Sequence, residues 1–260
     1  MPGKFSPATI KTMYLKTEGL ILRQTDYKDR DRLLTVLSRD YGKMILKARG
    51  VRAKNSKLSS TCQLLTYGEF TLTDYQGYHV ITEAEPKQMF YSLRNNLELL
   101  SLGSYFAQVV EVVSQEDSPD PALLSLILNA LYALSQQSRP QKLVKAAFEL
   151  RIACLAGYEP NLMGCPVCGD PSPNRFNVSK GCLQCKDCGG EVFDGIRMPV
   201  SLGTLAAMRY IVDCPAKRLF AFTLPETALE ELNAVTEAYL CTQFERGFYT
   251  LDFYKSLLLQ

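Results

Sequence analysis

Along the first third of the chain the apolar positions come in short runs. "LKTEGLILRQ" ends in a β-rich stretch, "RLLTVLS" and "KMILKAR" are compact apolar segments, "YGEFTLTDY" alternates polar with apolar, and "YHVITEAE" closes the series. Turn signals separate them: the charged "TDYKDRD", which reads as a loop, "RDYG" with Gly42, and "QG". Five short strands punctuated in this way predict a small closed β-barrel over residues 14–85. "KLSSTCQLL", before the fourth strand, is expected to hold one helical turn.

After Pro86 the period changes. "PKQMFYSLRNNLELLSLGSYFAQVVEVVSQ" sets Met89, Leu93, Leu97, Leu100, Tyr105, Val109 and Val112 at helical spacing. "EDSPDP" is a break with a helix start at its end, and "ALLSLILNALYALSQ" is apolar on most sides, as a buried bundle helix is. "SRPQKLVKAAFELRIACLAG" predicts a helix with Ser138 as a cap, Pro140 in the first turn and a stop at Gly157. "MPVSLGTLAAMRYIVDC" and "LPETALEELNAVTEAYLCTQFERGF" give two more helices. The expected architecture is α+β and multidomain. The barrel is followed by a helical bundle built from residues 86–157 and 198–260, with a module at 158–197 inserted in it. Residues 1–13 read as a flexible tail without the apolar stretch of a secretory signal, with Met13 as an alternative start.

Composition changes this picture little. With 47% hydrophobic and 22% charged residues the chain belongs with ordinary globular proteins. No apolar run approaches the roughly 20 residues that span a bilayer, so no membrane partner is expected.

Charge changes it more. The formal net charge is only +2, yet residues 1–60 hold 14 Lys/Arg against five acids, and residues 61–260 hold 15 against 22. A basic front end suits an anionic partner, the alternative being a merely solvated basic face. The charge concentrates in "KARGVRAKNSK", residues 47–57, which contains no acid. Lys43, Lys47, Arg49, Arg52, Lys54 and Lys57 are therefore the candidate phosphate contacts of a nucleic-acid site. Tyr41, Tyr67, Phe70, Tyr75 and Tyr78 either offer stacking faces or fill the barrel. Asn55 and Ser56 are expected to keep the loop polar and mobile.

The nine cysteines add a second chemistry. Cys62, Cys154, Cys214 and Cys241 are scattered, and five lie between 165 and 188. An odd count in a long chain without an export signal favours a reducing cytoplasm over disulfides. Cys165 and Cys168 form one C-x-x-C, and Cys182, Cys185 and Cys188 form two overlapping ones. Two such knuckles make a tetrahedral S4 site for one zinc ion, an iron–sulfur cluster or free thiols being the alternatives. Gly169 follows Cys168 as Gly189 follows Cys188, which favours Cys165, Cys168, Cys185 and Cys188, although Cys182/Cys185 is workable. Four thiolates leave no open position, and the single histidine, His79, lies far away in the sequence. The expected zinc is structural and the chain is not expected to be an enzyme. A nuclease with an unrecognised site, or an RNA- or ribosome-associated zinc protein, are the competing readings.

Three segments carry a resemblance. "TEGLILRQTDYKDRDRLLTVLSRDYGKMILKARGVRAKNSKL", the "CPVCG…CLQCKDC" knuckles and "YLCTQFERGFYTLDFYKSL" resemble the RecO family of bacterial recombination mediators, over residues 13–258. In that family the second knuckle follows a Gly-Gly-x-x stretch. Here Cys182 stands where the second glycine is expected, which supports Cys185 and Cys188 as ligands. The resemblance implies an N-terminal oligonucleotide-binding (OB) barrel, a helical domain and an embedded zinc module. It implies binding and annealing of single- and double-stranded DNA, in a cytoplasmic, nucleoid-associated setting. It also implies help, with RecR, in loading RecA onto DNA coated by single-strand-binding protein, whose acidic C-terminal tail such proteins contact.

Overall fold

The fold is that of a computed structural model in which residues 14–186, 188 and 194–259 are described. The expected tail at 1–13 and Gly189 lie outside these residues. The chain divides into two compact units: the residues up to Met89 together with Gln115–Pro119, and Phe90–Ser114 together with everything from Asp120 on.

The first unit is a closed barrel of five strands, β1 (Tyr14–Tyr27), β2 (Asp31–Ser38), β3 (Gly42–Ala48), β4 (Tyr67–Tyr75) and β5 (Tyr78–Gln88), in the order β1-β2-β3-β5-β4. Leu46 and Lys47 of β3 lie opposite His79 and Val80 of β5 in a parallel pairing, and the other neighbours are antiparallel. This is an OB-fold. Period-two alternation fixes which residues face inward. On β3, Met44, Leu46 and Ala48 join Ile21, Leu34, Val36, Phe70, Leu72 and Ile81 in the core, which leaves Lys43, Ile45 and Lys47 on the other face.

Two boundaries differ from the sequence pattern. "TDYKDRD" is mostly strand: the β1–β2 register continues through Asp26↔Arg32 and Tyr27↔Asp31, leaving only the turn at 28–30. An Arg32–Asp26 ion pair at 2.7 Å bridges the strands, so charges that read as loop are cross-strand partners. At the other end β5 runs through Pro86 to Gln88, past the expected limit at Glu85. Pro86 lies opposite Gly68 beside a register shift, the irregularity at which a residue without an N–H is tolerated.

Gln115–Pro119 leaves the helical sequence to pack on the barrel. The Lys43 N–H donates to the Gln115 carbonyl at 2.8 Å. Gly42 permits this approach: its φ is +65°, and a Cβ there would lie 2.5 Å from the carbonyl oxygens of Gln115 and Ser118.

The second unit holds α1 (Tyr91–Arg94), α2 (Leu97–Val113), α3 (Pro121–Gln136), α4 (Gln141–Leu155), α5 (Leu202–Asp213), α6 (Glu226–Gln243) and α7 (Tyr249–Leu257). The Asn96 side chain accepts from the Leu99 N–H and starts α2 afresh. The buried face is consequently Leu99, Leu102, Tyr105, Phe106, Val109 and Val110, whereas Leu97 and Val112 of the expected stripe are exposed. α3 is capped by Asp120, with Pro121 in its first turn. α4 begins after Pro140, and Ser138 does not cap it. "MPVS" is not helical. β8 (Arg197–Pro199) completes a sheet with β6 (Arg175–Asn177) and β7 (Cys182–Gln184), in the order β7-β6-β8, and Ser201 caps α5 by accepting from Thr204.

α4 is buried along most of its surface, charged residues included. Lys145, 2% exposed, pairs with Glu149 at 2.9 Å and Glu237 at 2.8 Å. Tyr105 and Thr236 donate to the two Glu149 oxygens at 2.8 and 2.9 Å. A buried charge is tolerated where it is paired and its lone pairs are filled, as these are.

Candidate nucleic-acid interface and thiolate centre

The candidate phosphate contacts do not behave as one group. Lys43 and Lys47 stand at opposite ends of β3, about 13 Å apart along the strand. Lys47 is not part of a mobile loop. Its side chain is 10% exposed, its Nζ is 3.7 Å from the Asp31 carboxylate, and it lies over the rings of Tyr27 at 4.8 Å and Tyr78 at 5.4 Å. Arg49 lies over Tyr75, its Cζ 4.1 Å from the ring centre. Arg52 reaches back to Asp26 at 3.4 Å, and both partners are well exposed. Exposed pairs of this kind contribute about 0–1 kcal/mol, so a phosphate can displace Asp26 at little cost. Lys54 and Lys57 are exposed and make no ion pair among the described residues.

The loop that carries them is a chain of turns. Ala53 donates to Gly50, Ser56 to Ala53 and Ser59 to Ser56 through the backbone. Its base is fastened by the Gly50 N–H to Asp31 at 2.8 Å and by the Arg52 N–H to the Arg30 carbonyl at 3.1 Å. Val51 and Cys62 are buried in the barrel core. The expected helical turn after Lys57 is reduced to a single Cys62-to-Leu58 backbone bond at 2.9 Å within turns.

The aromatic candidates separate by burial. Phe70 fills the barrel interior, and the Tyr67 hydroxyl donates to Glu18. Tyr41 packs against the core cluster. Tyr75 and Tyr78 are exposed, at 48% and 38%. Tyr27, in the segment whose charges read as a loop, lies 6.5 Å from Tyr78, centre to centre. Asp26 and Asp31, the acids that engage the basic segment, were equally hidden in "TDYKDRD". The signal that reveals all three is the antiparallel register that places that hairpin beside the end of β3.

The thiolate centre lies in the second unit. Cys165 donates its N–H to the Asp170 carbonyl at 2.7 Å and accepts from Gly169 at 2.9 Å, which closes the first knuckle. Gly169 has φ +77°, the left-handed conformation such a turn requires. The sulfurs of Cys165, Cys168, Cys185 and Cys188 all lie within 4.8 Å of one another, those of Cys168 and Cys185 at 3.6 Å. Sulfurs about 2.3 Å from one tetrahedral ion are ~3.8 Å apart, so the four can hold a single metal ion. Cys182 is excluded from this set. It sits in β7 opposite Asn177, buried.

Electrostatics agree with a cation site. Burial opposes ionisation of Cys165, but the N–H groups of Cys168, Cys185 and Val167 outweigh it and bring the thiol down to about 6. Cys185 is pushed up, first by burial and then by its contacts with Cys168 and Asp170. Cys188 is pushed up chiefly by Cys168. Four thiols this close do not all ionise without a positive charge among them.

The centre is fastened to the helices from several sides. Phe176 packs edge-on against Tyr239 of α6 at 5.2 Å. Gln243 donates to the Val178 carbonyl at 2.8 Å, and Arg209 of α5 donates to the Leu162 and Pro171 carbonyls at 2.9 and 2.6 Å. No helix among the described residues is long and apolar enough to cross a membrane.

Comparison with known proteins places this architecture. The family profile "Recombination protein O N terminal" matches residues 13–90, and "Recombination protein O C terminal" matches residues 94–252. The DNA repair protein RecO of Acetivibrio thermocellus is 32% identical over 246 residues, 94% of this chain and 97% of that protein. The DNA repair protein RecO of Alkaliphilus metalliredigens is 28% identical, over 94% of this chain and all of its own length. A third relative, the DNA repair protein RecO of Roseiflexus sp., is 30% identical over 92% of this chain and 84% of its own. An OB barrel, a helical unit and a four-cysteine cluster thus occur in one chain matched over nearly its whole length, and the chain belongs to the RecO family of DNA repair proteins.

Proposed function

We propose that the chain is a non-enzymatic recombination mediator that binds single- and double-stranded DNA and anneals complementary strands. The observation that carries this reading is the grouping of Arg49, Arg52, Lys54 and Lys57 on the connection that leaves β3 of an OB barrel, with two exposed tyrosines at hand. Annealing requires that phosphate repulsion between two strands be lowered without trapping either. Exposed cations do this through counterion release, and base pairing supplies the drive. Nothing in that scheme calls for nucleotide hydrolysis.

Zinc is the metal we assign to Cys165, Cys168, Cys185 and Cys188, where it would cross-link the knuckle at 165–168 to the one that follows β7. The partners RecR, RecA and the acidic tail of single-strand-binding protein come with the family resemblance, as does a cytoplasmic, nucleoid-associated location. All nine cysteines are free of disulfide bonds.

The test is annealing of complementary oligonucleotides followed by dye quenching, without nucleotide. The chain should accelerate pairing, and more so with RecR on strands coated by single-strand-binding protein. Pairing at the spontaneous rate would overturn the reading, and strand cleavage in the presence of Mg²⁺ or Mn²⁺ would favour a nuclease.

A further inference from the structure

Three tyrosine faces meet at one rim of the barrel, and each carries a cation. Arg49 covers Tyr75 at 4.1 Å, and Lys47 lies 4.8 Å from the centre of Tyr27 and 5.4 Å from that of Tyr78. The topology creates this meeting. Tyr27 ends β1 at the first hairpin, and Tyr75 and Tyr78 flank the two-residue turn between β4 and β5. The parallel pairing of Lys47 with Val80 brings the end of β3 alongside. The β1–β2 and β4–β5 connections are those through which OB-folds reach oligonucleotides.

None of these rings belongs to the barrel core. The Arg49–Tyr75 cation–π pair is a surface one and weak, about 0.5–1 kcal/mol when exposed. Stacking of an unpaired base on an aromatic face is worth roughly 1–3 kcal/mol. A base therefore competes successfully for a ring that a solvated guanidinium covers. A third cation, the exposed Lys28, lies 5.4 Å from the centre of Tyr27, and the other two differ in freedom. Lys47 is buried and held by Asp31, whereas Arg49 is exposed.

We propose that Tyr75 and Tyr78 form a stacking platform for unpaired nucleobases, with Arg49 as a placeholder that gives up the Tyr75 face and moves to a phosphate. Lys47 stays in place and sets the orientation of Tyr27 and Tyr78. This deepens the DNA-binding reading and rests on it. It divides the labour: the turns beyond β3 grip phosphates of any strand, and the tyrosine rim recognises bases that are not already stacked in a duplex.

The experiment compares three ligands of equal length at one salt concentration: oligo-dT, an abasic strand and a duplex. The full chain and the variants Tyr75→Ala/Tyr78→Ala and Tyr75→Phe/Tyr78→Phe are measured against each. The wild type should prefer oligo-dT to the abasic strand. The alanine pair should lose that preference, on the order of tenfold or more in affinity for oligo-dT, with abasic and duplex affinities unchanged. The phenylalanine pair should keep it. A wild type that binds dT and abasic strands equally overturns the platform while leaving DNA binding intact, as does an alanine pair weakened equally on all three ligands. A wild type that binds none of the three overturns the DNA reading and the platform together.

Discussion

Lys47 and Asp31 face each other at the end of the barrel, ammonium to carboxylate at 3.7 Å. The first lysine of the basic segment is therefore a structural cation, committed before any ligand arrives. The charge left for a polyanion lies further along, on Lys54 and Lys57, on Arg52 once Asp26 releases it, and on Arg49 once it leaves Tyr75.

That division predicts two different phenotypes. Lys47→Met should cost roughly 1–3 kcal/mol in urea unfolding, between the values for exposed and buried pairs, with little change in the salt slope of DNA binding. Lys54→Ala/Lys57→Ala should leave stability within about 0.5 kcal/mol. On single strands it should flatten the slope by about 0.7 for each phosphate that is no longer neutralised. The reverse pattern would assign the two roles wrongly.

Metal analysis should find one zinc per chain, retained by Cys182→Ser and lost by Cys165→Ser. Loss of metal in the Cys182 variant alone would show that the cluster within 4.8 Å is not the ligand set. Because thiolates are the ligands, binding should release protons and weaken as the pH falls. Chelation should lower the melting temperature and leave duplex DNA affinity largely in place.

The α4 network makes a sharper stability prediction. Lys145→Met leaves Glu149 and Glu237 without their buried cation and should cost about 3–5 kcal/mol by denaturant unfolding. Adding Glu149→Gln should recover part of that loss. A single variant within about 1 kcal/mol of wild type would mean that the carboxyl groups are already neutral.

Glu18 governs part of the acid response of the barrel. Hydrogen bonds from Lys87 and Tyr67 hold its carboxyl down at about 2 instead of 4.5. A carboxyl with a lowered value stabilises the fold above its unfolded value and ceases to do so as the pH falls through the folded one. Urea midpoints should therefore drop between about pH 4.5 and 2, less steeply in Glu18→Gln. Equal steepness in both would remove Glu18 from the account.

Much of this was legible in the residues because local signals and tertiary demands agree. The alternating strands, the change of period after Pro86 and the paired C-x-x-C knuckles each need one element to be read. What escaped needs two. "TDYKDRD" is a loop by charge, and only cross-strand partners make it strand. Leu97 and Val112 fit a helical stripe whose phase is reset by the Asn96 cap. Lys145, Glu149 and Glu237 look like solvated charges until α4 is surrounded. Cys182 fits a C-x-x-C spacing, yet it is a buried strand residue of β7 paired with Asn177, outside the cluster of four sulfurs.

The most direct test is a salt titration of the full chain with a single-stranded oligonucleotide. Affinity should fall linearly in a plot of log K against log salt, with a slope that counts the phosphates neutralised. Absence of binding by folded protein at low salt, or binding that salt leaves unchanged, would contradict a cationic OB barrel as the DNA-gripping part of this molecule.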